Sequence, residues 1–223
     1  MSRPYVLLSC AISVDGYLDD SSPERLILSS AADLDRVDGV RAGVDAILVG
    51  ANTIRRDDPR LVLRSEARRA ARAGRGLPCD PVKVTITRTG DLDPGARFFT
   101  TGEAGKLVYA ASTAVTKARR ALDTATVVDA GEPPELPRIL ADLAGRGVRR
   151  LMVEGGSGIL SLFLAERLAD ELHLVVAPVL VADPEAPRWL ADGAVPAGRI
   201  ALRETRQVDG CVLLRYELEP RDA

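Results

Sequence analysis

Two stretches of this 223-residue chain hold residue types and spacings that can do chemistry. The first is Leu151–Leu164, LMVEGGSGILSLFL. Its apolar start ends in one acid, Glu154. Gly155-Gly156-Ser157-Gly158 follows, and then an apolar run with helical spacing. Strand, glycine turn and helix together aim backbone N–H groups and a helix's positive end at a phosphate. Glycine lets the backbone approach a ligand where a Cβ would collide. Glu154 falls at the carboxyl end of the strand, where open α/β sheets keep their chemistry. The stretch does not match G-x-G-x-x-G. Nor is it the G-x-S-x-G nucleophile elbow, because Ile159 replaces the last glycine. The second stretch, Val49–Leu61, reads VGANTIRRDDPRL. It follows an apolar strand and gathers a hydroxyl, two acids and several arginines before a turn at Pro59.

The rest of the sequence supplies the elements that position these stretches. Tyr5–Ile12 reads as a buried first strand closed by Asp15-Gly16. Ser30-Ala31-Ala32-Asp33 starts a helix in the manner of a capping box, running to about Ala42. Ala46–Val49, Leu61–Leu63, Val82–Thr87, Lys106–Ala111 and Thr126–Val128 read as strands. Ala51–Asp58 is a turn or short helix stopped by Pro59. Glu66–Gly76 is an Arg/Ala-rich solvated helix or mobile loop. Leu136, Ile139, Leu140 and Leu143 fall on one helix face, ended by Gly145 and Gly147. Glu171–Leu180 and Cys211–Leu218 are the last long strands, and Asp209-Gly210 is the turn that gives the latter an antiparallel neighbour. Ala182–Gly198, with its prolines and glycines, is a loop within the domain. Alternating strands and helices followed by adjacent strands give a three-layer α/β/α fold, with a mainly parallel sheet and an antiparallel C-terminal hairpin.

Composition narrows the chemistry. With 46% apolar and 28% charged residues, 1–223 reads as one globular domain. A net charge of −2, without a basic stripe and interleaved aromatics, argues against a nucleic-acid partner. Cys10, Cys79 and Cys211 are odd in number, far apart and without C-x-x-C spacing, which argues against a disulfide framework or structural zinc. The single histidine, His173, sits in a strand pattern as a solvent-facing or hydrogen-bonded residue. One histidine cannot build a multi-histidine metal site, and no metal is expected. No apolar run reaches membrane-spanning length, and MSRPYVLLSCAIS runs straight into a strand pattern. No membrane partner is expected, and the expected compartment is the cytoplasm.

The order of motifs carries a resemblance. Arg3-Pro4-Tyr5-Val6, Ser13-Val14-Asp15-Gly16, the Val49–Leu61 stretch and Val153-Glu154-Gly155-Gly156 together resemble the pyrimidine reductases of riboflavin biosynthesis. These include the C-terminal half of the bifunctional deaminase–reductase. The resemblance spans roughly residues 3–181 and the final hairpin. It implies the dihydrofolate-reductase-like fold, NADPH as cofactor, a phosphorylated pyrimidine as substrate and a homodimer. The reaction it implies opens a ribosyl group to ribityl.

Residue by residue, the resemblance places Ala11, Thr53 and Asp57 on the cofactor side. Gly155, Gly156, Ser157, Gly158, Ile159 and Leu160 hold the pyrophosphate. Arg88, just after Val82–Thr87, is a candidate for the cofactor's 2′-phosphate, which suits a guanidinium. Arg41, Leu61 and Arg64 match substrate-binding positions. Glu154 matches a substrate-contacting acid that either binds sugar hydroxyls or assists a proton transfer. With Asp57 it forms the catalytic pair of candidates, although Asp57 serves equally well as a cap for the next element. Arg41 could instead meet carbonyls at its helix end.

Two departures are visible. Ser9 stands where bifunctional bacterial members carry lysine, four residues before the Ser of S-x-D-G. The H-x-E…P-C-x-x-C deaminase signature has no counterpart, which implies a free-standing reductase. A reductase of the same fold acting on a folate, pterin or specialised metabolite is the alternative. A nucleotide-binding protein without catalysis is a further one.

Overall fold

The computed structural model describes residues 3–22, 24–191, 195 and 198–219. Nine strands are present among them: β1 (Tyr5–Ser13), β2 (Ala46–Gly50), β3 (Val82–Thr87), β4 (Lys106–Ala110), β5 (Thr126–Asp129), β6 (Arg150–Glu154), β7 (Glu171–Ala177), β8 (Ala201–Val208) and β9 (Cys211–Glu217). The helices are α1 (Ala31–Ala42), α2 (Ala51–Asp57), α3 (Glu66–Ala73), α4 (Arg97–Thr100), α5 (Val115–Ala121), α6 (Leu136–Gly145) and α7 (Ser157–Ala165). The sheet runs β5-β4-β3-β2-β6-β1-β7-β9-β8. It is mainly parallel, and β9 pairs antiparallel with both β7 and β8. Crossovers from β2 to β5 and from β6 to β7 step in opposite directions along the sheet.

The chain divides into two compact units, one built around Asp38–Met152, the other from Tyr5–Val37 and the chain from Val153 onward. In the first unit, Ala46–Val49 is buried throughout, the continuous apolar signature of a parallel strand covered on both faces. The predicted face of α6 is buried at all four positions, Leu136, Ile139, Leu140 and Leu143. Two expectations fail here. Leu61–Leu63 is not a strand, because Leu61 takes a left-handed conformation (φ 48°). Glu66–Gly76 is not simply solvated. Arg72 is only 2% exposed and donates to the carbonyls of Pro78, Ala42 and Val44 at 2.9, 3.0 and 2.7 Å. Three carbonyl acceptors replace the water that a buried guanidinium loses. Lys83 on β3 is also buried, donating to the carbonyls of Phe98 (3.1 Å) and Thr101 (2.6 Å); burial pulls its ammonium down to about 8.

In the second unit, β1 and β7 pair in parallel from Leu7–Glu171 to Ser13–Ala177. Ser30 caps α1 as expected, its hydroxyl accepting from the Asp33 N–H at 3.1 Å. His173 is buried and hydrogen-bonded: its Nε2 lies 2.8 Å from Glu171 Oε1. That bond, with the Arg215 guanidinium at 2.6 Å, holds the Glu171 carboxyl at about 2. The Asp209-Gly210 turn forms as predicted between β8 and β9. Both residues have positive φ (47° and 81°), the geometry that suits a two-residue hairpin. The last long apolar strands, β7 and β9, do not form the sheet edge. β7 lies between β1 and β9, and β9 lies between β7 and β8. The edge is β8, which the sequence hides because its charged residues break the apolar alternation.

Candidate active site

The first unit collects Arg41, Thr53, Asp57, Leu61, Arg64 and Arg88. β2 ends at Gly50 and passes directly into α2, which brings Thr53 to the middle of the helix and Asp57 to its last position. Asp58 then takes a left-handed conformation (φ 41°) and its N–H returns to the Ile54 carbonyl at 3.2 Å. Its carboxylate receives the Arg97 backbone N–H (2.6 Å) and Nε (2.9 Å). Asp58, the second acid of D-D-P, therefore braces the next element. Leu61 is 2% exposed, so its side chain belongs to the core and only its backbone can face a ligand. Arg88 is exposed immediately after β3.

Arg64 occupies a bend whose backbone is tied down. Its N–H donates to Asp38 Oδ1 at 2.6 Å, and the Ser65 N–H donates to Asp38 Oδ2 at 3.2 Å. The Leu63 N–H meets Asp80 Oδ1 at 2.7 Å. Ser65 then caps α3, accepting from the Arg68 N–H at 3.3 Å. The Arg64 side chain emerges exposed from this frame. Arg41 lies in the last turn of α1, half-buried.

The second unit holds Ala11 and the whole glycine turn. Ala11 packs on the cluster of Leu28, Val175, Ala177, Cys211 and Leu213. Glu154 is half-buried at the end of β6. Gly155 has φ 137°, a conformation that side chains disfavour. Gly156 is the N-cap of α7 and has no side chain of its own to cap it; the first turn carries no acid. The helix begins at Ser157, two residues before the sequence places it. A Cβ built on Gly158 would meet nothing within 4 Å. A positive helix end without an acid in its first turn, beside open space, fits an anionic group such as a pyrophosphate, which the N–H groups of Ser157, Gly158 and Ile159 would hold. Leu160 plays another part. It is 1% exposed and its N–H returns to the Gly156 carbonyl at 3.4 Å, so it supports the turn from beneath.

Two acids of structural weight were not singled out by sequence reasoning. Asp38 precedes Arg64 by 26 positions, and no local pattern links them. Asp15 was read as part of a turn and of a family motif, with no role of its own. Its carboxylate receives the Val181 and Ala182 N–H groups at 3.1 and 2.8 Å. The Ser13 hydroxyl and these N–H groups hold it at about 2.

The family described as the RibD C-terminal domain matches residues 4–214. The chain belongs to this family. The RibD C-terminal domain match encloses every site residue named above. A protein of Archaeoglobus fulgidus named 2,5-diamino-6-ribosylamino-4(3H)-pyrimidinone 5′-phosphate reductase is 36% identical over 187 residues, 83% of this chain and 85% of that one. A protein of the same name from Methanothermobacter thermautotrophicus is 34% identical over 192 residues, 86% and 85% of the two chains. Among solved structures, a pyrimidine reductase-like protein from Corynebacterium diphtheriae superposes with a TM-score of 0.82 at 22% identity, over 98% of this chain and 93% of that one. This likeness establishes that the two proteins share a fold.

Proposed function

We propose that this protein reduces the ribosyl group of a 5′-phosphoribosylamino-pyrimidine to ribityl, with NADPH as the hydride source. The observation that carries the reading is the 36% identity, along most of both chains, to a protein named as the diaminopyrimidinone phosphate reductase. That name also favours the diamino form over the deaminated one. When bound, the nicotinamide supplies a hydride to C1′ of the ring-opened sugar imine. Such a transfer needs orientation more than a nucleophile. Arg64 and Arg41 anchor the substrate phosphate by charge-assisted bonds. Thr53, Asp57 and Ala11 border the cofactor, and the α7 turn holds its pyrophosphate. As C1′ takes the hydride, a proton must reach the adjacent nitrogen. Glu154 either fixes the sugar hydroxyls or delivers that proton. Glu154→Gln separates these roles, because only the second requires an ionisable carboxyl.

The test is NADPH oxidation with four substrates: the diaminopyrimidine phosphate, its uracil counterpart, dihydrofolate and a dihydropterin. Turnover is expected with the first. Turnover confined to dihydrofolate or dihydropterin would overturn the reading. Arg88 is assigned to the 2′-phosphate, so NADH should be the poorer donor, and Arg88→Ala should narrow the difference between the two. Equal kcat/KM for NADH and NADPH in the wild type would remove this assignment.

The protein is proposed to work in the cytoplasm as a homodimer. No described helix is long and apolar enough to cross a membrane. On one face of the C-terminal hairpin, Leu202 pairs with Tyr216, and Val212 and Leu214 follow on the same side of β9. Leu202 is 53% exposed and Val212 37%. An apolar surface of this kind suits a second copy. Leu202→Glu is expected to give a monomer at micromolar concentration in sedimentation velocity, where the wild type sediments as a dimer. A monomeric wild type would refute the dimer.

A further inference from the structure

We infer that Asp38 is the positioning residue for the phosphate-binding arginine, fixing the bend from which Arg64 projects. Four observations support this. The Asp38 side chain is 3% exposed, yet its carboxylate is fully engaged. Oδ1 receives the Arg64 N–H at 2.6 Å, and Oδ2 receives the Ser65 N–H at 3.2 Å and the Arg68 guanidinium at 3.0 Å. Asp38 also lies three residues before Arg41 on α1, a spacing that puts both on one side of the helix. Lastly, Arg64 itself sits in no helix or strand, so no ladder of backbone bonds holds it.

A carboxylate that accepts two successive N–H groups sets the direction of the backbone between them. Arg68 neutralises the buried charge, so the brace is stable without drawing on the Arg64 side chain. Burial pushes the Asp38 carboxyl up, but the N–H of Arg64 and the Arg68 guanidinium outweigh it and hold the group ionised. With the bend fixed before substrate arrives, phosphate binding has only the Arg64 side chain left to order. The role is one of positioning, since Asp38 offers its oxygens to the protein rather than to the ligand. The inference rests on the reading of Arg64 as a phosphate ligand.

The test is a double-variant cycle with Asp38→Ala and Arg64→Ala, run on the phosphorylated pyrimidine and on its dephosphorylated form. Asp38→Ala is expected to raise KM for the phosphorylated substrate about tenfold, with kcat within about twofold and the dephosphorylated form unaffected. In the Arg64→Ala background the same change should add nothing, because the group it positions is gone. Asp38→Asn keeps one acceptor for the Arg64 N–H and should give a smaller KM change of the same sign. It is read in the same way if the alanine variant does not fold. Equal losses on both substrates, or a full Asp38 effect on top of Arg64→Ala, would overturn the inference and leave Asp38 as a fold residue. If Arg64→Ala alone shows no phosphate-selective loss, the phosphate reading of Arg64 fails first, and the positioning role falls with it.

Discussion

Arg64→Ala should cost about ten- to hundred-fold in kcat/KM on the phosphorylated pyrimidine. The side chain is exposed at a braced bend, so it can reach a ligand without disturbing the core. Its loss removes a charge-assisted bond to phosphate worth roughly 1.5–3 kcal/mol. The loss should be small for the dephosphorylated substrate, and NADPH affinity should barely change. If Arg64 only served the fold, the opposite pattern would appear: a lower melting temperature with unchanged kinetics per folded molecule. Equal losses on both substrates would remove the phosphate from its assignment.

Gly155→Val is expected to act on the other ligand. Gly155 has φ 137°, and a β-branched side chain there is strained by about 1–3 kcal/mol. The turn can relieve that strain only by rotating away from the geometry that aims the first N–H groups of α7. NADPH affinity should fall about tenfold or more by fluorescence titration, since each tenfold is about 1.4 kcal/mol. KM for the pyrimidine should move much less. Gly155→Ala should sit between the two. A valine variant that binds NADPH as tightly as the wild type would show that the turn does not hold the pyrophosphate.

Much of this arrangement was readable from residue types alone. The glycine turn after Glu154 announces itself because only glycine accepts the φ of residue 155. The α6 face is equally plain, since burial of Leu136, Ile139, Leu140 and Leu143 follows from helical periodicity. Hairpin chemistry at Asp209-Gly210 predicts the last antiparallel pair. What escaped depends on tertiary partners. Leu61–Leu63 has strand-like residues, but Leu61 turns left-handed where Asp38 and Asp80 capture the backbone that follows. The arginines of α3 look solvated in sequence, yet Arg72 finds carbonyls in the Ala42–Val44 turn, 28 to 30 positions earlier. β8 carries charges on an edge that is wet on both sides, so it lacks the apolar alternation by which strands are found. The D-D-P motif was visible, but the bracing contact of Asp58 was not, because Arg97 lies 39 residues beyond it.

The position of β1 has a consequence for how the chain is made. β1 leaves the ribosome well before its partner β7; the bond from the Val6 N–H to Asp170 spans 164 positions. At typical synthesis rates, roughly ten to thirty seconds separate the two. During that interval the Val6–Leu8 segment, buried in the finished protein, has no β7 to pair with. Long-range parallel pairing of this kind is slow to close. The β8–β9 hairpin, by contrast, closes across a two-residue turn as soon as it is made. The β8–β9 hairpin is thus among the quickest parts to fold, while β1 must wait for β7 in an aggregation-prone state. Chaperone demand in the living cell should therefore concentrate on β1.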